Sequence, residues 1–509
     1  MKLLLCLPSQ RVSHKGVIAR PHVNIPLGVL SMAAYLRQQD WPGMIEIYDA
    51  RISAKFWTDH SGEKIFGDTD DEVFHKISRE APDVIGISNM FSSQISRAYQ
   101  MAIIAKEAAA NAVVVLGGPH ASSFPDEVLN HPAVDYVVMG EGEERLAKIL
   151  QCLENGEDIC FEGVLGKPED KKFLKPHKTV KVNFIDNVDD LPLPAYDLIN
   201  MERYFTLQRK GYSPRSREWG KRAVTVLTSR GCPQRCVFCS IHGTAGYKWR
   251  SNSPEYIERH LQHLLDTYEI DFIHFEDDNL THDPSRFDVI LDILLSLPKR
   301  ISWDTPNGIR ADTWTLERVR RSKEAGCQAL TAAIESANQD VLNGIVKKRL
   351  DLAKVNDLMA YCNEVGLRLN AFYIIGFPGE TEENMRTTVE FALNKFSCYG
   401  VYPMLQPLIP LPGTPVHDEI ITKGLHIGPL NYRYNEIHTP EFTPETVDRL
   451  YREFLRRKII IFFGRMFIST TDFWYNLKLL GKYPEIVRRT IVQAVFGTSS
   501  GGSSSPKNK

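Results

Sequence analysis

The chain has 509 residues, of which 43% are hydrophobic and 24% are charged, and its formal net charge is −2. A chain of this length is too long for one hydrophobic core, so we expect roughly two to four domains of ordinary globular composition. The near-zero charge excludes the strong positive field of a nucleic-acid-binding protein, and no apolar run approaches the roughly 18 residues of a membrane-spanning helix.

The cysteines and the N-terminus indicate the compartment. The nine cysteines show no even spacing, which argues against a disulfide framework and predicts a protein of the reducing cytoplasm. The apolar run within Met1–Pro8 is short and ends at a proline. We therefore interpret this stretch as a first buried strand and not as a signal peptide.

Strands and helices alternate along residues 1–150. The predicted strands are Lys2–Leu7, Ile45–Tyr48, Asp83–Ser88, Ala112–Gly117 and Tyr136–Met139, and the clearest helices are Pro26–Leu36 and Ile95–Ala110. This alternation predicts a doubly wound, flavodoxin-like parallel sheet with helices on both faces, in which ligands bind at the carboxyl ends of the strands. Three of those ends carry stretches with small or polar residues, Ser88–Met90, Gly117–His120 and Gly140–Glu143, and their glycines would let a ligand approach the backbone.

Residues 151–222 form a predicted connector. Most of it is polar, which indicates surface strands and loops, and its last part, residues 200–222, is basic and is expected to cover an active site. The segment Leu191–Leu198 contains two prolines, which predict a stiff, extended joint before the next domain.

The stretch Ser229–Ser240 places Cys232, Cys236 and Cys239 at CxxxCxxC spacing on a loop that follows a predicted buried strand. Three thiolates on one tight loop suit three corners of a 4Fe–4S cluster and would leave the fourth iron open to a small molecule. The alternatives are a zinc site or buried thiols. A closed zinc site usually needs a second cysteine pair or two histidines, and no second pair follows here.

Strand and helix patterns repeat about six times over residues 223–430, which predicts a partial TIM-like barrel whose chemistry lies at the carboxyl ends of its strands. Those predicted ends carry polar residues at Glu276–Asp278, Arg310, Glu335–Ser336 and Ile374–Glu380. A single acidic residue at a strand end is more often a helix cap, but a series of such ends indicates a site.

Residues 431–497 are predicted to be helical, and residues 498–509 are a low-complexity, disordered tail. The segment Leu450–Phe463 joins a cationic cluster to an apolar one. This pattern is typical of a helix packed on the barrel, and the alternative is an interfacial surface that contacts a membrane.

The cysteine loop resembles the signature of the radical S-adenosylmethionine superfamily, CxxxCxΦC, in which the aromatic position is Phe238 here. The resemblance implies that Cys232, Cys236 and Cys239 hold a 4Fe–4S cluster, and that S-adenosylmethionine chelates the open iron and yields a 5′-deoxyadenosyl radical. The cofactor would supply the difficult chemistry and the protein would position it.

The order of the strand ends is similar to that of the same superfamily and implies contacts with S-adenosylmethionine. These are Glu276, Asp277 and Asp278 for the ammonium group, Arg310 for the carboxylate or ribose, Glu335 and Ser336 for the ribose, and Phe238, Ile374 and Gly376 for the adenine. Tyr373 is left open between adenine contact and core. Two departures place individual ligands in doubt: Glu-Asp-Asp replaces Gly-Gly-Glu, and Ala337 replaces a glycine.

The N-terminal stretches resemble the cobalamin-binding domain that precedes many radical S-adenosylmethionine domains. The resemblance implies that cobalamin contacts Ser88, Met90, Gly117, Gly118, His120, Gly140, Glu141 and Gly142. The Asp-x-His-x-x-Gly motif, whose histidine ligates cobalt, is absent. We therefore expect cobalamin to bind without a protein histidine on cobalt, and we interpret His120 as a residue of the pocket wall.

The whole pattern is similar to the cobalamin-dependent class that includes anaerobic porphyrin ring cyclases, hopanoid methylases and phosphonate methylases. It implies methylation of an unactivated carbon, with one S-adenosylmethionine as the methyl source and a second as the radical source. Alternatives are radical cyclisation or oxidation without methyl donation, and a cobalamin-binding sensor with an inactive barrel.

The same resemblance implies a small-molecule or lipid-like substrate and an electron donor such as flavodoxin or ferredoxin. It implies no nucleic-acid partner. We expect a cytoplasmic protein, with peripheral membrane contact through the C-terminal helices as the open alternative.

Overall fold

The computed structural model describes residues 1–14, 17–18, 21, 23–167, 182–212, 222–426 and 437–466. The chain divides into two compact units. The first contains Met1–Gln234, Cys239–Asn307 and Leu411–Thr414, and the second contains Arg235–Phe238, Gly308–Pro410 and the chain from Pro415 onward.

The first unit begins with an alternation of strands and helices. The strands are β1 (Lys2–Leu7), β2 (Gln10–Arg11), β3 (Ser13–His14), β4 (Val17–Ile18), β5 (Met44–Asp49), β6 (Phe56–Thr58), β7 (Lys64–Phe66), β8 (Val84–Ser88), β9 (Val113–Gly117), β10 (Tyr136–Val138) and β11 (Val164–Gly166). The helices are α1 (Leu27–Gln38), α2 (Asp70–Glu80), α3 (Ile95–Ala108), α4 (Pro119–Ser123), α5 (Pro125–Leu129) and α6 (Glu143–Asn155). A capping box between Thr69 and Glu72 fixes the start of α2.

Six of these strands form one sheet in the order β11-β10-β9-β8-β1-β5, in which all neighbours are parallel except β10 and β11. The order reverses between β1 and β8, which is where such sheets bind ligands. Period-two alternation places Leu4 and Cys6 in the core on one face of the sheet and Leu3 and Leu5 in the core on the other. Helices α2 and α3 supply residues to the first core, and α1 and α6 supply residues to the second.

The first unit continues with α7 (Met201–Arg209) and with the start of the second α/β region. Its strands are β12 (Ala223–Val226), β13 (Ser229–Arg230), β14 (Arg250–Ser251), β15 (Phe272–Phe275) and β16 (Ser302–Asp304), and its helices are α8 (His242–Ala245), α9 (Pro254–Tyr268) and α10 (Pro284–Ser296). Strands β12, β15 and β16 are parallel neighbours, whereas β13 and β14 form an antiparallel pair. Proline at the first turn and a capping side chain, Ser253 or Asp283, begin α9 and α10.

The second unit has three parallel strands, β17 (Cys327–Glu335), β18 (Arg368–Ile375) and β19 (Tyr402–Pro407). Its helices are α11 (Leu316–Glu324), α12 (Leu352–Val365), α13 (Glu382–Tyr399), α14 (Pro415–Thr422) and α15 (Pro444–Met466). Burial along β18 alternates from residue to residue, so one of its faces belongs to the core of the unit.

The predicted fold class is confirmed: a doubly wound N-terminal sheet, a second region in which parallel strands alternate with helices, and a helical C-terminal region are all present. One strand differs from the expectation of a wholly parallel sheet. Strand β11 pairs antiparallel at the edge and lies beyond residue 150, in the predicted connector. The predicted domain boundaries stay predictions, and the predicted helices after residue 466 and the tail lie outside the described residues.

Candidate functional site

A cavity of about 430 Å³ lies at the carboxyl ends of the N-terminal strands, within the first unit. Seven of the eight residues predicted for cobalamin line it: Ser88, Met90, Gly117, Gly118, Gly140, Glu141 and Gly142. The parallel register places Ser88 directly beside Gly117, because these residues end β8 and β9 as partners. The sequence-based prediction and the cavity therefore coincide at the point where the strand order reverses.

Glycines keep this cavity open. A Cβ at Gly28 would meet no atom within 4 Å, and a Cβ at Gly117 would meet its nearest neighbour, the Val138 carbonyl, at 3.6 Å. Gly118 has a φ of 113°, and a Cβ there would lie 2.3 Å from the carbonyl oxygen of Asn89. Gly117 and Gly28 thus provide space toward the cavity, whereas Gly118 is required by the backbone itself.

Apolar side chains border the cavity, and two of them are exposed to solvent. Met90 is 64% exposed and Leu227 is 38% exposed, and both line the cavity together with Ile25 and Leu27. Exposed apolar surface around a recess is typical of a ligand site. A large, mostly apolar ring with polar edges, as in cobalamin, fits both the glycine-lined floor and this border.

The other wall of the cavity comes from the second α/β region of the same unit. Thr225, Leu227, Ser229, Arg230, Glu276 and Asp278 line it, and so do Tyr256 and His260 of α9. Two residues predicted for S-adenosylmethionine, Glu276 and Asp278, therefore share one cavity with the residues predicted for cobalamin. Thr225 Oγ1 donates a hydrogen bond of 3.3 Å to Glu276 Oε1.

His260 is a neutral polar group of this wall. Its Nε2 lies 3.0 Å from the hydroxyl of Tyr196, which belongs to the proline-rich joint predicted at Leu191–Leu198. Burial lowers the pKa of His260 to about 3, so the ring carries no charge at neutral pH. Leu191, Pro192 and Pro194 also line the cavity, so the joint is part of the site as well as a connection.

The segment before the cysteines is held by the acidic end of β15. Asp277 Oδ1 accepts hydrogen bonds from Thr228 N at 3.0 Å, Thr228 Oγ1 at 2.7 Å and Ser229 Oγ at 2.6 Å. Asp278 Oδ2 accepts one from Gly231 N at 2.9 Å. The two carboxylates therefore determine the path of the chain into Cys232.

Burial raises the pKa of both carboxyl groups and brings that of Asp278 to about 6. Asp277 is 2% exposed and its bonds go to the loop. Its predicted contact with S-adenosylmethionine stays a prediction and now competes with a structural role. Asp278 keeps both possibilities, since it lines the cavity.

A cluster of four charged side chains joins the Gly140–Glu143 loop to the cysteine-bearing segment. Arg230 Nη1 lies 3.1 Å from Glu141 Oε1, and Arg230 Nη2 lies 2.8 Å from Glu143 Oε1. Arg250 Nη1 lies 2.9 Å from Glu141 Oε2. Burial, which lowers the pKa of Arg230, is outweighed by the two glutamates, which raise it, so the guanidinium is always charged.

The three cysteines differ in exposure. Cys232 and Cys236 are buried, and Cys239 is half-buried. Asn279, which directly follows the acidic triplet, donates from Nδ2 to Cys232 Sγ at 3.7 Å. Across the described ranges, no group of three or more His, Cys, Asp or Glu side chains is arranged to hold a metal ion. Each thiolate of a cubane cluster binds a different iron atom, so the assignment of the cysteines does not require such an arrangement and stays a prediction.

In the second unit, the predicted ribose contacts have partners of their own. Glu335 forms a buried ion pair with Lys348 at 2.7 Å and has a φ of 71°, a left-handed conformation that is unusual for glutamate. Ser336 Oγ lies 3.2 Å from Thr388 Oγ1. A backbone outlier at a strand end is typical of functional sites, so the geometry is compatible with the predicted role.

Arg310 has hydrogen-bond partners within the protein, and its predicted contact with S-adenosylmethionine stays a prediction. Its Nε donates to Asp312 Oδ1 at 3.0 Å, and its Nη1 donates to the carbonyl of Lys348 at 3.2 Å. A second Nη contact goes to the Asp312 carboxylate. The guanidinium thus has a carboxylate partner within its own loop, and a contact with the carboxylate of S-adenosylmethionine would have to compete with it.

Near the end of β18, some of the residues considered for adenine contact are buried in the core and others are not. Tyr373 is buried and packs edge-to-face against Phe391 of α13, which answers the open question in favour of core packing. Ile374 points to the opposite face because side chains alternate along a strand. Gly376 has a φ of 91°, and its N–H donates to Glu380 Oε2 at 2.8 Å.

Phe238 packs edge-to-face on Phe377, with ring centroids 6.0 Å apart, and is half-buried. This placement is compatible with both readings of Phe238, as a core residue and as an adenine contact. The predicted role therefore stays a prediction.

His120 is the predicted cobalamin residue that does not line the cavity. It is buried on α4, its ring packs edge-to-face on Phe124, and Nε2 lies 3.6 Å from Glu127 Oε1. Burial lowers its pKa. Gly118, with its left-handed backbone, is the N-cap of the short helix α4 that carries His120, and the predicted position of His120 in the wall of the cavity is not observed.

Sequence reasoning missed Arg230, Arg250, Glu143 and Asn279. Two signals were available: Arg230 directly precedes the Gly-Cys of the cysteine motif, and Glu143 ends the glycine-glutamate stretch at the last strand. Asn279 also had a signal, because it directly follows the acidic triplet Glu276–Asp278. Arg250 lies outside every stretch that the sequence patterns single out.

Two family models match the chain. Residues 14–150 match the model described as B12 binding domain, and residues 226–392 match that of the Radical SAM superfamily. An uncharacterized methyltransferase of Pyrococcus horikoshii is 30% identical over 478 residues, which cover 91% of this chain and 94% of that protein. A cytidylyl-2-hydroxyethylphosphonate methyltransferase of Streptomyces wedmorensis is 29% identical over 424 residues, 77% of each chain.

A solved structure of the radical S-adenosylmethionine methyltransferase TsrM from Kitasatospora setae, with cobalamin and a [4Fe-4S] cluster bound, matches with a TM-score of 0.65. The match covers 90% of this chain and 88% of that chain at 15% sequence identity, and so it shows a shared fold. Within the described part of the chain, none of the helices combines the length and the apolar character that crossing a membrane requires.

Proposed function

Because this chain belongs to the family of cobalamin-binding radical S-adenosylmethionine enzymes, we propose that it methylates an unactivated carbon atom of a small organic substrate. Its cofactors are a 4Fe–4S cluster, S-adenosylmethionine and cobalamin. When bound, cobalamin carries the methyl group, and the cluster with S-adenosylmethionine supplies the radical that activates the substrate. The methyltransferases among its relatives support this class of reaction.

One observation carries the proposal: a single cavity is lined both by the glycine-rich strand ends of the N-terminal domain and by Glu276 and Asp278 of the barrel. A carbon radical is short-lived, so the methyl donor must already lie beside it when it forms. Two cofactor sites that open on one cavity meet this requirement.

The residues have separate tasks in this proposal. Ser88, Gly117 and Gly118, with Gly140–Gly142, bind cobalamin through close backbone approach, and Met90 covers it. Cys232, Cys236 and Cys239 hold the cluster. Glu276 and Asp278 accept hydrogen bonds from the ammonium group of S-adenosylmethionine, and Asp277 keeps the segment before Cys232 in place through Thr228 and Ser229.

The enzyme needs a reductant and acts on a small molecule. We propose flavodoxin or ferredoxin as the electron donor and a cytoplasmic location. The helix α15 carries both arginines and exposed apolar side chains, such as Ile460, which supports a lipid-like substrate and contact with a membrane surface as a second, narrower proposal.

The test uses anaerobically reconstituted enzyme, a strong reductant, extracts of the host as the substrate source, and S-adenosylmethionine labelled in its methyl group. We expect label in the product, with S-adenosylhomocysteine and 5′-deoxyadenosine each near one equivalent per product. 5′-Deoxyadenosine with an unlabelled, oxidised or cyclised product would contradict methylation and favour radical cyclisation. Bound cobalamin without any 5′-deoxyadenosine would favour the sensor.

A further inference from the structure

Four charged side chains, Glu141, Glu143, Arg230 and Arg250, form a largely buried arginine–glutamate cluster, of which the first three line the cavity. The side chains of both glutamates are 5% exposed, that of Arg250 is 2% exposed and that of Arg230 is 22% exposed. Two positive and two negative groups balance one another, which is the condition under which charges are tolerated away from water.

The cluster has further partners that hold its geometry. Glu143 Oε1 also accepts from Ser31 Oγ at 2.7 Å, and Glu141 Oε2 accepts from Ile185 N at 2.8 Å. Arg250 Nη2 donates to the carbonyl of Ala245 at 2.8 Å. Charge-assisted bonds that converge from several elements leave the four groups one common arrangement.

The elements joined by the cluster carry the two predicted cofactor sites. Glu141 lies between the glycines predicted for cobalamin, and Arg230 lies two residues before Cys232. Arg230 and Arg250 are direct partners in the antiparallel pair β13–β14, so both arginines approach the glutamates from one pair of strands. A displacement of Arg230 would therefore move the cysteine segment relative to the glycines that line the cavity.

We propose that Arg230 is a positioning residue that sets the separation between bound cobalamin and the iron–sulfur cluster. It holds the cysteine-bearing segment against the cobalamin-binding loop through Glu141 and Glu143. The inference rests on the proposed function for its effect on methyl transfer. Its effect on the distance between the two cofactors does not depend on any substrate.

Loss of this contact separates radical formation from methyl transfer. The three cysteines that would ligate the iron–sulfur cluster are unchanged, and so are the glycines that line the cavity. We therefore expect both cofactors to bind. A misplacement of about 1 Å between reacting groups lowers the rate roughly a hundredfold. We therefore expect S-adenosylmethionine cleavage to continue while methylated product per 5′-deoxyadenosine falls by roughly 10- to 100-fold.

The experiment compares Arg230→Gln, Arg230→Lys and Glu143→Gln in reconstituted holoenzyme. The first readout needs no substrate: the electron spin relaxation of cob(II)alamin next to the reduced cluster, which depends on the distance between the two paramagnetic centres. The second readout is methylated product per 5′-deoxyadenosine. Cobalamin and iron contents are measured in every sample.

Arg97→Gln is the matched control, because Arg97 is also a buried arginine of the first unit, it pairs with Asp70, and it does not line the cavity. We expect Arg230→Gln and Glu143→Gln to change the relaxation of cob(II)alamin relative to the wild type. Arg230→Lys keeps the positive charge, so its relaxation should lie between that of Arg230→Gln and that of the wild type. The double variant Arg230→Gln with Glu143→Gln should differ from the wild type by no more than Arg230→Gln alone. Unchanged relaxation in Arg230→Gln at full cofactor content would overturn the proposal, and so would an equal change in Arg97→Gln.

If Arg230→Gln does not retain its cofactors, the relaxation of Glu143→Gln tests the proposal instead, because this variant removes one carboxylate partner and leaves Arg230 in place. Unchanged relaxation in that variant overturns the proposal. If the wild-type enzyme forms no methylated product, the proposed function fails while the relaxation readout still tests the role of Arg230.

Discussion

The N-terminal sheet and the barrel present different residue types at their strand ends, and the two types relate to the cavity differently. All the glycines predicted for cobalamin line the cavity, at Gly117, Gly118, Gly140 and Gly142. Of the four carboxylates predicted at the barrel strand ends, two are engaged elsewhere: Asp277 holds a loop and Glu335 pairs with a lysine. Only Glu276 and Asp278 among them line the cavity.

This difference follows from what each residue type contributes. A glycine contributes space and backbone freedom, which are properties of its own position. A carboxylate contributes charge and acceptor capacity, which are used by whichever donors the fold brings near it. Glycines at a strand end therefore predict a cavity more directly than acidic residues predict a ligand.

The largest expected effect comes from the thiolates, whose assignment rests on their spacing and on the match to the Radical SAM family model. Replacing Cys232, Cys236 and Cys239 with alanine should remove the absorbance at roughly 400 nm, because thiolates ligate the irons of the cluster. The variant should also form no 5′-deoxyadenosine. Iron analysis and absorbance spectra after reconstitution measure the loss. Replacement of Cys160, an exposed cysteine outside the motif, is the control and should change neither. A full cluster in the triple variant would show that other residues ligate it.

Two substitutions at neighbouring positions distinguish a glycine that the backbone requires from a glycine that leaves space for the ligand. Gly118→Ala places a Cβ against the Asn89 carbonyl in a backbone conformation that alanine avoids, so we expect about 1–3 kcal/mol of destabilisation and loss of cobalamin binding. Gly117→Ala meets only ordinary contacts, so the fold should persist while the added methyl group weakens cobalamin binding about tenfold.

Thermal unfolding and cobalamin titration separate the two effects at these glycines. Gly464→Ala, with no atom within 4 Å of its added Cβ, is the control. Equal cobalamin affinity in Gly117→Ala and the wild type would show that Gly117 does not face the ligand.

Glu380 tests whether a carboxylate in the barrel serves only its own loop. It is fully buried, and burial raises its pKa to about 7, while the N–H groups of Phe377 and Gly376 oppose the increase. A raised pKa means that its contribution to stability is complete below the unfolded value of 4.5 and is lost as the pH rises through about 7. Glu380→Gln cannot ionise, so it should be as stable as the wild type at pH 4 to 5 and up to about 3 kcal/mol more stable at pH 8.

Denaturant unfolding of the two apoproteins at the two pH values measures this difference. A stability difference that does not change with pH would show that Glu380 does not titrate in this range. Weaker S-adenosylmethionine binding by Glu380→Gln at pH 8 would instead identify the carboxylate as a ligand. The conclusion that glycines predict a site more directly than carboxylates would then not hold for Glu380.

The smallest effect concerns the cluster potential. Asn279 donates to Cys232 Sγ, and such a bond favours the reduced, more negative cluster. Asn279→Ala should lower the midpoint potential by about 20–60 mV, the equivalent of one ordinary hydrogen bond in a one-electron couple. A redox titration followed by electron paramagnetic resonance measures the shift. Asn252→Ala removes a buried amide that bonds Asp189 in the same unit, and should leave the potential unchanged.

The sequence alone determined the parts of this protein that depend on local order. Short apolar runs that alternate with helical patterns predicted the strands of both α/β regions, since such runs lie within a few consecutive residues. The CxxxCxxC spacing is equally local, and the cluster ligands that it indicates stay a prediction. Glycines at the strand ends predicted the cavity residues for the same reason.

The tertiary structure alone decided which polar groups act on one another. Arg230 contacts glutamates 87 and 89 residues away, Asn279 donates to Cys232 47 residues away, and Tyr373 is buried in the core while Ile374 is not. These outcomes depend on which donors and acceptors the folded chain brings within about 3 Å of each other, because hydrogen bonds and ion pairs act only over short distances. A linear pattern contains no record of those distances.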